Sequence, residues 1–171
     1  TLAEVCEYPM TALPAFPIDH VLVRDDDSAD ALHLRERSLT YKTLNSYVGA
    51  MAFDLFARGC VAGDRVASWA GKGLLTVLMP LAAARAGLIH VPINPQLKGP
   101  QAGYILADSG SRLCVANKAR LDALADATPD GCALVEEGEV IAALDTPADA
   151  LPPSPVGTDL DALGALLYTS G

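Results

Sequence analysis

Aromatic and charged residues are both scarce in this chain, and the scarcity excludes some classes of protein. Aromatic residues make up 5% of the 171 residues and charged residues 19%, whereas hydrophobic residues make up 51%. A chain of this composition can bury a substantial core, which excludes intrinsic disorder for most of its length. Because alanine is abundant and aromatic residues are few, we expect a core of Leu, Val, Ile and Ala side chains. The length fits one domain or a large piece of a bigger one.

Cysteine and histidine are also few and scattered, which argues against a structural metal site. The four cysteines are Cys6, Cys60, Cys114 and Cys132. None forms a closely spaced pair, and none of the three histidines lies at metal-ligand spacing from a cysteine. This usage is typical of a reducing compartment, and we expect Cys114 and Cys132 to be buried thiols. No Ser-His-Asp set or carboxylate pair stands out, so the sequence predicts no catalytic residue and no metal ligand.

Basic residues and long apolar runs are missing as well. Twelve Lys and Arg residues against 21 Asp and Glu residues give a net charge of −9, and no basic cluster offsets it. Such a surface repels phosphate backbones, so we expect no nucleic-acid partner. The most apolar window, 74–93, is interrupted by Pro80, Arg85 and His90, so we expect no transmembrane segment. With no signal sequence visible, we expect a cytoplasmic protein.

Strand and helix patterns alternate along most of the chain. Residues 1–30 are predicted to form an irregular lead segment, in which the acidic run from Asp25 to Asp27 is interpreted as a solvated turn. The alternation predicts strands at 31–35, 37–40, 65–70, 88–93, 112–116, 132–136 and 163–168. Helices are predicted from Thr40 to Gly59 and over 74–86, 100–108 and 118–125.

The alternation predicts an α/β fold with a mostly parallel sheet and alternating helices, built from right-handed βαβ units. Thr40 is the expected N-cap of the first helix, and Pro80 should kink the second helix or mark its late start. We expect His90, inside an apolar strand, to be a hydrogen-bonded packing residue rather than a catalyst. Gly71 and Gly73 lack the third glycine and the acidic partner of a dinucleotide loop, so we interpret them as a strand-to-helix turn.

The end of the chain has residues that suit a phosphate-binding loop. An apolar strand runs into Tyr168, Thr169, Ser170 and Gly171. Glycine lets the backbone approach a phosphate, and hydroxyl groups donate hydrogen bonds to phosphate oxygens. Taken alone, an ordinary turn explains the same residues.

Three ordered segments resemble the N-terminal part of the AMP-forming acyl-CoA ligase and adenylating-enzyme superfamily, over about 32–171. The segments are Leu39-Thr40-Tyr41-Lys42-Thr43-Leu44 with Gly63-Asp64-Arg65-Val66-Ala67, then Ala86-Gly87 through Val91-Pro92-Ile93-Asn94-Pro95 with Tyr104-Ile105-Leu106-Ala107-Asp108-Ser109, and Leu167-Tyr168-Thr169-Ser170-Gly171. Asn94-Pro95 favours the acyl-CoA ligase branch over the adenylation domains of peptide synthetases. The stretch from Pro92 to Arg120 looks most like ligases associated with bacterial exosortase systems.

The resemblance implies that the parent enzyme activates a carboxylic acid with ATP and Mg²⁺ and passes the acyl group to coenzyme A, in bacterial fatty acid metabolism. It implies that residues 31–171 are the N-terminal α/β subdomain of an AMP-binding domain, truncated at the start of the phosphate loop. Thr169, Ser170 and Gly171 would be the first members of that loop and would hold the outer phosphates of ATP.

The remainder of the family's phosphate loop, its catalytic lysine and most of its acyl pocket are not in this sequence, so we expect the isolated chain to be inactive. A parent that loads a carrier protein is one alternative, and a truncated interaction module without enzyme activity is another. A free-standing flavodoxin-like or dinucleotide-binding domain also fits the α/β pattern. Apolar surface made for a missing subdomain would favour homodimers. Thr43 stands where the family usually has a capping-box Glu, so we expect a weaker helix start.

Overall fold

Strands and helices alternate in a computed structural model that describes residues 16–145, 150–154 and 159–169. The strands are β1 (Asp30–His33), β2 (Ser38–Thr40), β3 (Arg65–Trp69), β4 (Ile89–Pro92), β5 (Ser111–Ala116) and β6 (Ala133–Glu136). The helices are α1 (Tyr41–Ala57), α2 (Leu74–Arg85), α3 (Gly99–Ser109), α4 (Lys118–Leu124) and α5 (Glu137–Ala143). Turns of 3₁₀-helix occupy Ile18–Leu22 and Ala125–Ala127.

The main sheet has four parallel strands in the order β4-β3-β5-β6. In β3, Val66 pairs with His90 of β4 on one side and with Leu113 of β5 on the other. The chain therefore adds β4 on one side of β3 and then crosses to the other side for β5 and β6. β1 and β2 form a separate antiparallel hairpin. This arrangement confirms the predicted α/β fold.

Helices cover both faces of the sheet, which explains the continuous apolar character of its strands. On one face, α1, α2 and α5 pack with Val66, Leu113 and Val115 in a large apolar cluster. On the other face, α3 and α4 pack with Ala67 and Cys114. Within the described residues, no helix combines the length and the apolar character needed to cross a membrane.

Helix α1 follows the predicted periodicity and begins at the predicted cap. The predicted face residues Leu44, Val48, Met51 and Leu55 are all buried. The backbone N–H of Thr43 donates to Thr40 Oγ1 at 3.2 Å, which confirms Thr40 as the N-cap. In place of a Glu reaching back to the cap, the Thr43 hydroxyl lies 3.1 Å from Thr40 Oγ1. Gly59 follows the helix with a φ of 87°, a conformation that favours glycine.

Helix α2 begins at Leu74 and continues through Pro80 to Arg85. Of the two alternatives for Pro80, the late start is therefore excluded, and the kink stays a prediction. Proline has no N–H to donate, so the carbonyl of Thr76, four residues earlier, loses its usual partner within the helix.

The predicted strand over 163–168 is also wrong in its extent. This segment makes a single parallel bridge, between Ala165 and His90 of β4. The N–H of His90 donates to the Gly164 carbonyl at 3.0 Å, and the N–H of Leu166 donates to the His90 carbonyl at 2.9 Å. The segment is thus attached to the outer edge of β4 at one point. Helix α5, which the sequence analysis did not predict, has only seven residues and a polar start.

The described part of the lead segment is attached to the helical layer by a buried ion pair. Asp19, in the first 3₁₀ turn, lies with one carboxylate oxygen 3.0 Å from Nε of Arg85 at the end of α2. The guanidinium also donates to the backbone carbonyl of Asn45 at 3.0 Å and to its side-chain oxygen at 2.7 Å. The same Asp19 oxygen accepts from the N–H of Ser154 at 2.9 Å. These contacts join four stretches of chain that are distant in sequence.

Candidate active site

Two adjoining grooves lie where β3 and β4 end and the 159–169 segment passes beside them. The larger, of about 580 Å³, is lined by Pro92, Asn94, Leu97, Pro100, Gln101, Tyr104, Ile105, Tyr168 and Thr169. The smaller, of about 300 Å³, is lined by Ser68, Ala70, Thr76, His90, Pro92, Ile93, Asn94, Pro95, Leu167 and Tyr168. Open α/β sheets bind ligands outside the carboxyl ends of their strands, so this is the expected place for a site.

The loop after β4 is held in place beneath both grooves. The indole N–H of Trp69, the last residue of β3, donates to the Asn94 carbonyl at 3.2 Å. The side-chain oxygen of Asn94 accepts from the N–H of Gln96 at 2.9 Å. On the indole ring lies the guanidinium of Arg120, 5.8 Å from the ring centroid, a cation–π arrangement. Asn94 therefore presents a fixed wall to both grooves.

Tyr168 connects the chain's final described segment to α3. Its hydroxyl donates to Asp108 Oδ2 at 2.7 Å, and its ring packs against the apolar cluster between α3 and the sheet. Desolvation, and then the hydrogen bond to Asp108, raise the pKa of Tyr168 above its ordinary value, so the hydroxyl stays protonated and donates. Thr169 follows, exposed, at the mouth of the larger groove.

Of the predicted loop residues, the structure describes Thr169, while Ser170 and Gly171 lie outside the described residues. The second and third segments of the family resemblance meet in the larger groove, through Asn94 and Tyr104 on one side and Tyr168 on the other. The first segment lies elsewhere, at the start of α1 and at the turn that enters β3. Sequence reasoning did not single out Gln101 or the Tyr168–Asp108 contact.

His90 is confirmed as a hydrogen-bonded packing residue. Its Nε2 lies 2.9 Å from the hydroxyl oxygen of Ser68 on β3, and the residue is 6% exposed. Burial lowers the pKa of His90 from 6.5 to about 4, so the ring is neutral at physiological pH. The backbone of His90 holds the bridge to Ala165, which places this residue between the sheet and the segment that leads to Thr169.

We predict that His90 makes the free energy of unfolding depend on pH. Its ring binds a proton near pH 6.5 in the unfolded chain and near pH 4 in the folded chain. Acidification therefore favours unfolding. The contribution of His90 to the free energy of unfolding is fully present above pH 6.5, and about 3 kcal/mol is lost by pH 4. Urea unfolding at a series of pH values should show a smaller loss for H90Q than for wild type.

The matched control is S46A, since Ser46 is exposed on α1 and carries no titratable group. Its pH profile should follow that of wild type, and both profiles include the contribution of the carboxylates. An H90Q profile that coincides with the wild-type profile would contradict the prediction.

Two cysteines, an acidic run and a pair of glycines were also singled out in the sequence, and the structure shows the surroundings of each. Cys114 is buried, and desolvation raises its pKa to about 12, as expected of an inert thiol. Cys132 is half-buried rather than fully buried, with a pKa raised by desolvation to about 11. Asp25 to Asp27 are exposed, and among the described residues no three metal-ligating side chains converge. Gly71 and Gly73 form the predicted turn into α2.

Comparison with known proteins matches residues 19–171 to the family described as AMP-binding enzyme. A feruloyl-CoA synthase of Amycolatopsis sp is 36% identical over 135 residues, 78% of this chain and 26% of that protein. The fatty acid–[acyl-carrier-protein] ligase ScoC of Streptomyces coeruleorubidus is 34% identical over 146 residues, 79% of this chain and 26% of that protein. The crystal structure of apo MatB from Rhodopseudomonas palustris superimposes with a TM-score of 0.80 and 26% identity, over 90% of this chain and 32% of that chain.

The chain thus spans roughly a quarter to a third of each of these three proteins. The family match covers nearly all of it, including β1 to β6 and the segment that ends at the groove. The match to this family rules out the alternative of a free-standing flavodoxin-like or dinucleotide-binding domain. The sequence, the parallel sheet and the groove at its carboxyl edge agree, and the chain belongs to the AMP-binding enzyme family of adenylate-forming ligases.

Proposed function

We propose that this chain, over 31–171, forms the first subdomain of an enzyme that activates a carboxylic acid with ATP and then transfers the acyl group to coenzyme A. The family supports the use of ATP. A carboxylate is a poor electrophile, so an oxygen of the acid first bonds to the α-phosphorus of ATP and pyrophosphate leaves. The thiol sulfur then bonds to the carbonyl carbon of the acyl-adenylate and AMP leaves.

The position of Thr169 is the observation that supports this proposal most. It follows a segment attached to β4 and stands at the mouth of the groove at the carboxyl end of the sheet. We assign Thr169, Ser170 and Gly171 to the start of a phosphate loop, where hydroxyl and backbone N–H groups would donate to the outer phosphates. Donors fixed in advance stabilise the charge that develops during transfer.

Magnesium fits this arrangement as a companion of ATP. The described residues bring no three His, Cys, Asp or Glu side chains together. Mg²⁺ is commonly held through substrate phosphates and one or two carboxylates rather than in an all-protein cage. We propose that it enters with the phosphates and neutralises part of their charge.

The proposal also covers the identity of the acceptor that takes the acyl group. Asn94-Pro95 supports coenzyme A as acceptor, and a relative named as a feruloyl-CoA synthase is consistent with it. A carrier-protein acceptor is the second candidate, because ScoC, named as a fatty acid–[acyl-carrier-protein] ligase, is about as similar. The exosortase-associated subfamily and a cytoplasmic location remain predictions. Exposed Leu160, Leu163 and Leu167 support the prediction that the isolated chain associates with itself.

Pyrophosphate exchange into ATP, measured on the intact gene product, tests the proposal. We expect exchange only when a suitable acid is present, within a panel of fatty, aromatic and amino acids. The T169A variant should exchange about 10- to 100-fold more slowly, the usual effect of losing a hydrogen bond to a charged group. Exposed Ser46 on α1 provides the control, and S46A should match wild type.

Addition of coenzyme A or of an acyl-carrier protein then identifies the acceptor by the thioester formed. A polypeptide of residues 1–171 alone should show no exchange. Exchange that does not depend on any acid, or exchange by that polypeptide, would overturn the proposal.

A further inference from the structure

Tyr168, the residue just before the proposed phosphate loop, is held through its side chain and through the backbone of its segment. On the backbone side, the bridge between His90 and Ala165 fixes the segment to β4, with hydrogen bonds of 3.0 and 2.9 Å. On the side-chain side, the Tyr168 hydroxyl donates to Asp108 at 2.7 Å. The contact is exposed to solvent, and its short distance is typical of hydrogen bonds to carboxylates, which are directional.

Asp108 is itself carried by a firmly held helix end. The guanidinium of Arg65, at the start of β3, donates to the carbonyls of Ser109 at 2.8 Å and Gly110 at 2.7 Å. Positive charge at a helix C-terminus also interacts favourably with the helix dipole. The hydroxyl of Ser109 lies 2.7 Å from that of Ser111 on β5. The last turn of α3 is therefore connected to two strands of the sheet, and the stretch of backbone that carries the exposed Asp108 side chain is held in place.

We propose that Asp108 is a positioning residue for ATP binding. It holds the Tyr168 hydroxyl and thereby fixes the direction in which the backbone continues to Thr169. The inference rests on the proposed function, in which the phosphate loop begins at Thr169. A loop that binds phosphate with hydroxyl and backbone N–H groups must present them in one direction, and small displacements of such groups cost much activity. Tyr168 is one residue away from Thr169, so rotation at Tyr168 would redirect every donor that follows it.

Kinetics of the intact gene product test this role with Y168F and D108N. Both variants should raise the KM for ATP about 5- to 10-fold, part of the effect of a hydrogen bond to a charged group, and leave the KM for the acid within about twofold of wild type. Because both residues act through one bond, the double variant should be no worse than either single variant. D108E, which keeps a carboxylate, should recover part of the loss.

Two further measurements separate positioning from general damage. Calorimetry with a non-hydrolysable ATP analogue should show the same fold-change in Kd, and the melting temperatures should stay near wild type. Y47F and D122N are matched controls, since Tyr47 lies on α1 and Asp122 pairs with Lys118 on the surface of α4. Both controls should keep the wild-type KM for ATP.

Several outcomes would overturn the inference. One is a wild-type KM for ATP in Y168F and D108N, and another is a joint rise of both KM values with a lower melting temperature. Multiplicative effects in the double variant would show that the residues act independently. A wild-type protein without acid-dependent exchange would overturn the proposed function first, and this inference with it.

Discussion

Replacing Arg85 with methionine is expected to lower the free energy of unfolding by about 3–5 kcal/mol, the range found when one partner of a buried ion pair is removed. The side chains of Arg85 and Asp19 are 1% and 0% exposed. Without the guanidinium, Asp19 would be left as a buried carboxylate that has no positive partner among the described residues. Urea unfolding of wild type and R85M at pH 7 measures the loss.

The expected loss comes from the unpaired charge rather than from the attraction itself. Desolvation is the largest influence on Arg85 and lowers its pKa, while the hydrogen bond to Asp19 works in the opposite direction. Burying this pair is therefore costly, and replacing both charges is often tolerated far better than replacing one. The double variant D19L/R85M should accordingly recover much of the stability that R85M loses.

The R85K variant separates charge from geometry. Lysine keeps the positive charge but cannot reproduce the planar fork that reaches Asp19 and both oxygens of Asn45. Its loss should lie between wild type and R85M. A loss of less than about 1 kcal/mol in R85M would contradict the account of this network.

Replacing Gly99 with valine should also be damaging, with an expected loss of free energy of unfolding of about 3 kcal/mol, the upper end of the usual range for overpacking. Helix α3 lies against α4 and the following 3₁₀ turn through the backbone of Gly99 and Gly103. A Cβ on Gly99 would overlap the carbonyl of Ala123, and a Cβ on Gly103 would lie 2.7 Å from the Cβ of Ala127. Since the obstacle at Gly99 is backbone, it cannot rotate away. Thermal or urea unfolding measures the effect.

Gly138 in α5 is the matched control, because a Cβ there would meet nothing within 4 Å. G138A should leave stability unchanged or raise it by up to about 1 kcal/mol, since alanine is the better helix former. G99V should also displace Pro100 and Gln101, which line the larger groove. Wild-type stability in G99V would contradict the close packing of α3 against α4.

Local signals explain which parts of the fold could be predicted. The recurrence of Leu44, Val48 and Met51 identifies α1 because the apolar face of a helix repeats every three to four residues. Gly110 ends α3 in the left-handed conformation, with a φ of 60°, as its position after the predicted helix suggests. The α/β class and the mostly parallel sheet follow from these local patterns together with the right-handed crossover rule. The strand order β4-β3-β5-β6 is known only from the structure.

Long-range pairing is what the sequence could not supply. Asp19 and Arg85 are separated by 66 positions, and Tyr168 and Asp108 by 60. Neither pair has a periodic signature, so only the folded chain shows that they meet. The predicted extent of the 163–168 strand was wrong for a related reason. An apolar run indicates that a segment suits a sheet, but it does not indicate how many hydrogen bonds the neighbouring strand makes with it.

The start of the proposed phosphate loop is assigned from the family resemblance, whereas the walls of the groove could not be predicted. Hydroxyl and glycine residues such as Thr169, Ser170 and Gly171 suit phosphate, but an ordinary turn also explains them when they are taken alone, and their role remains a prediction. Gln101 and Tyr104 carry no such signal, since polar side chains on a helix surface are ordinary. They become groove residues only because α3 lies beside Tyr168.

Reading the codons that follow Gly171 in the source gene tests the central claim most directly. If the chain carries the start of the phosphate loop of an adenylate-forming ligase, the sequence should continue as Ser or Thr, then Thr-Gly, one further residue, and Pro-Lys-Gly. A stop codon at that point, or a continuation without the second glycine and the lysine, would contradict the assignment of Thr169, Ser170 and Gly171 to that loop.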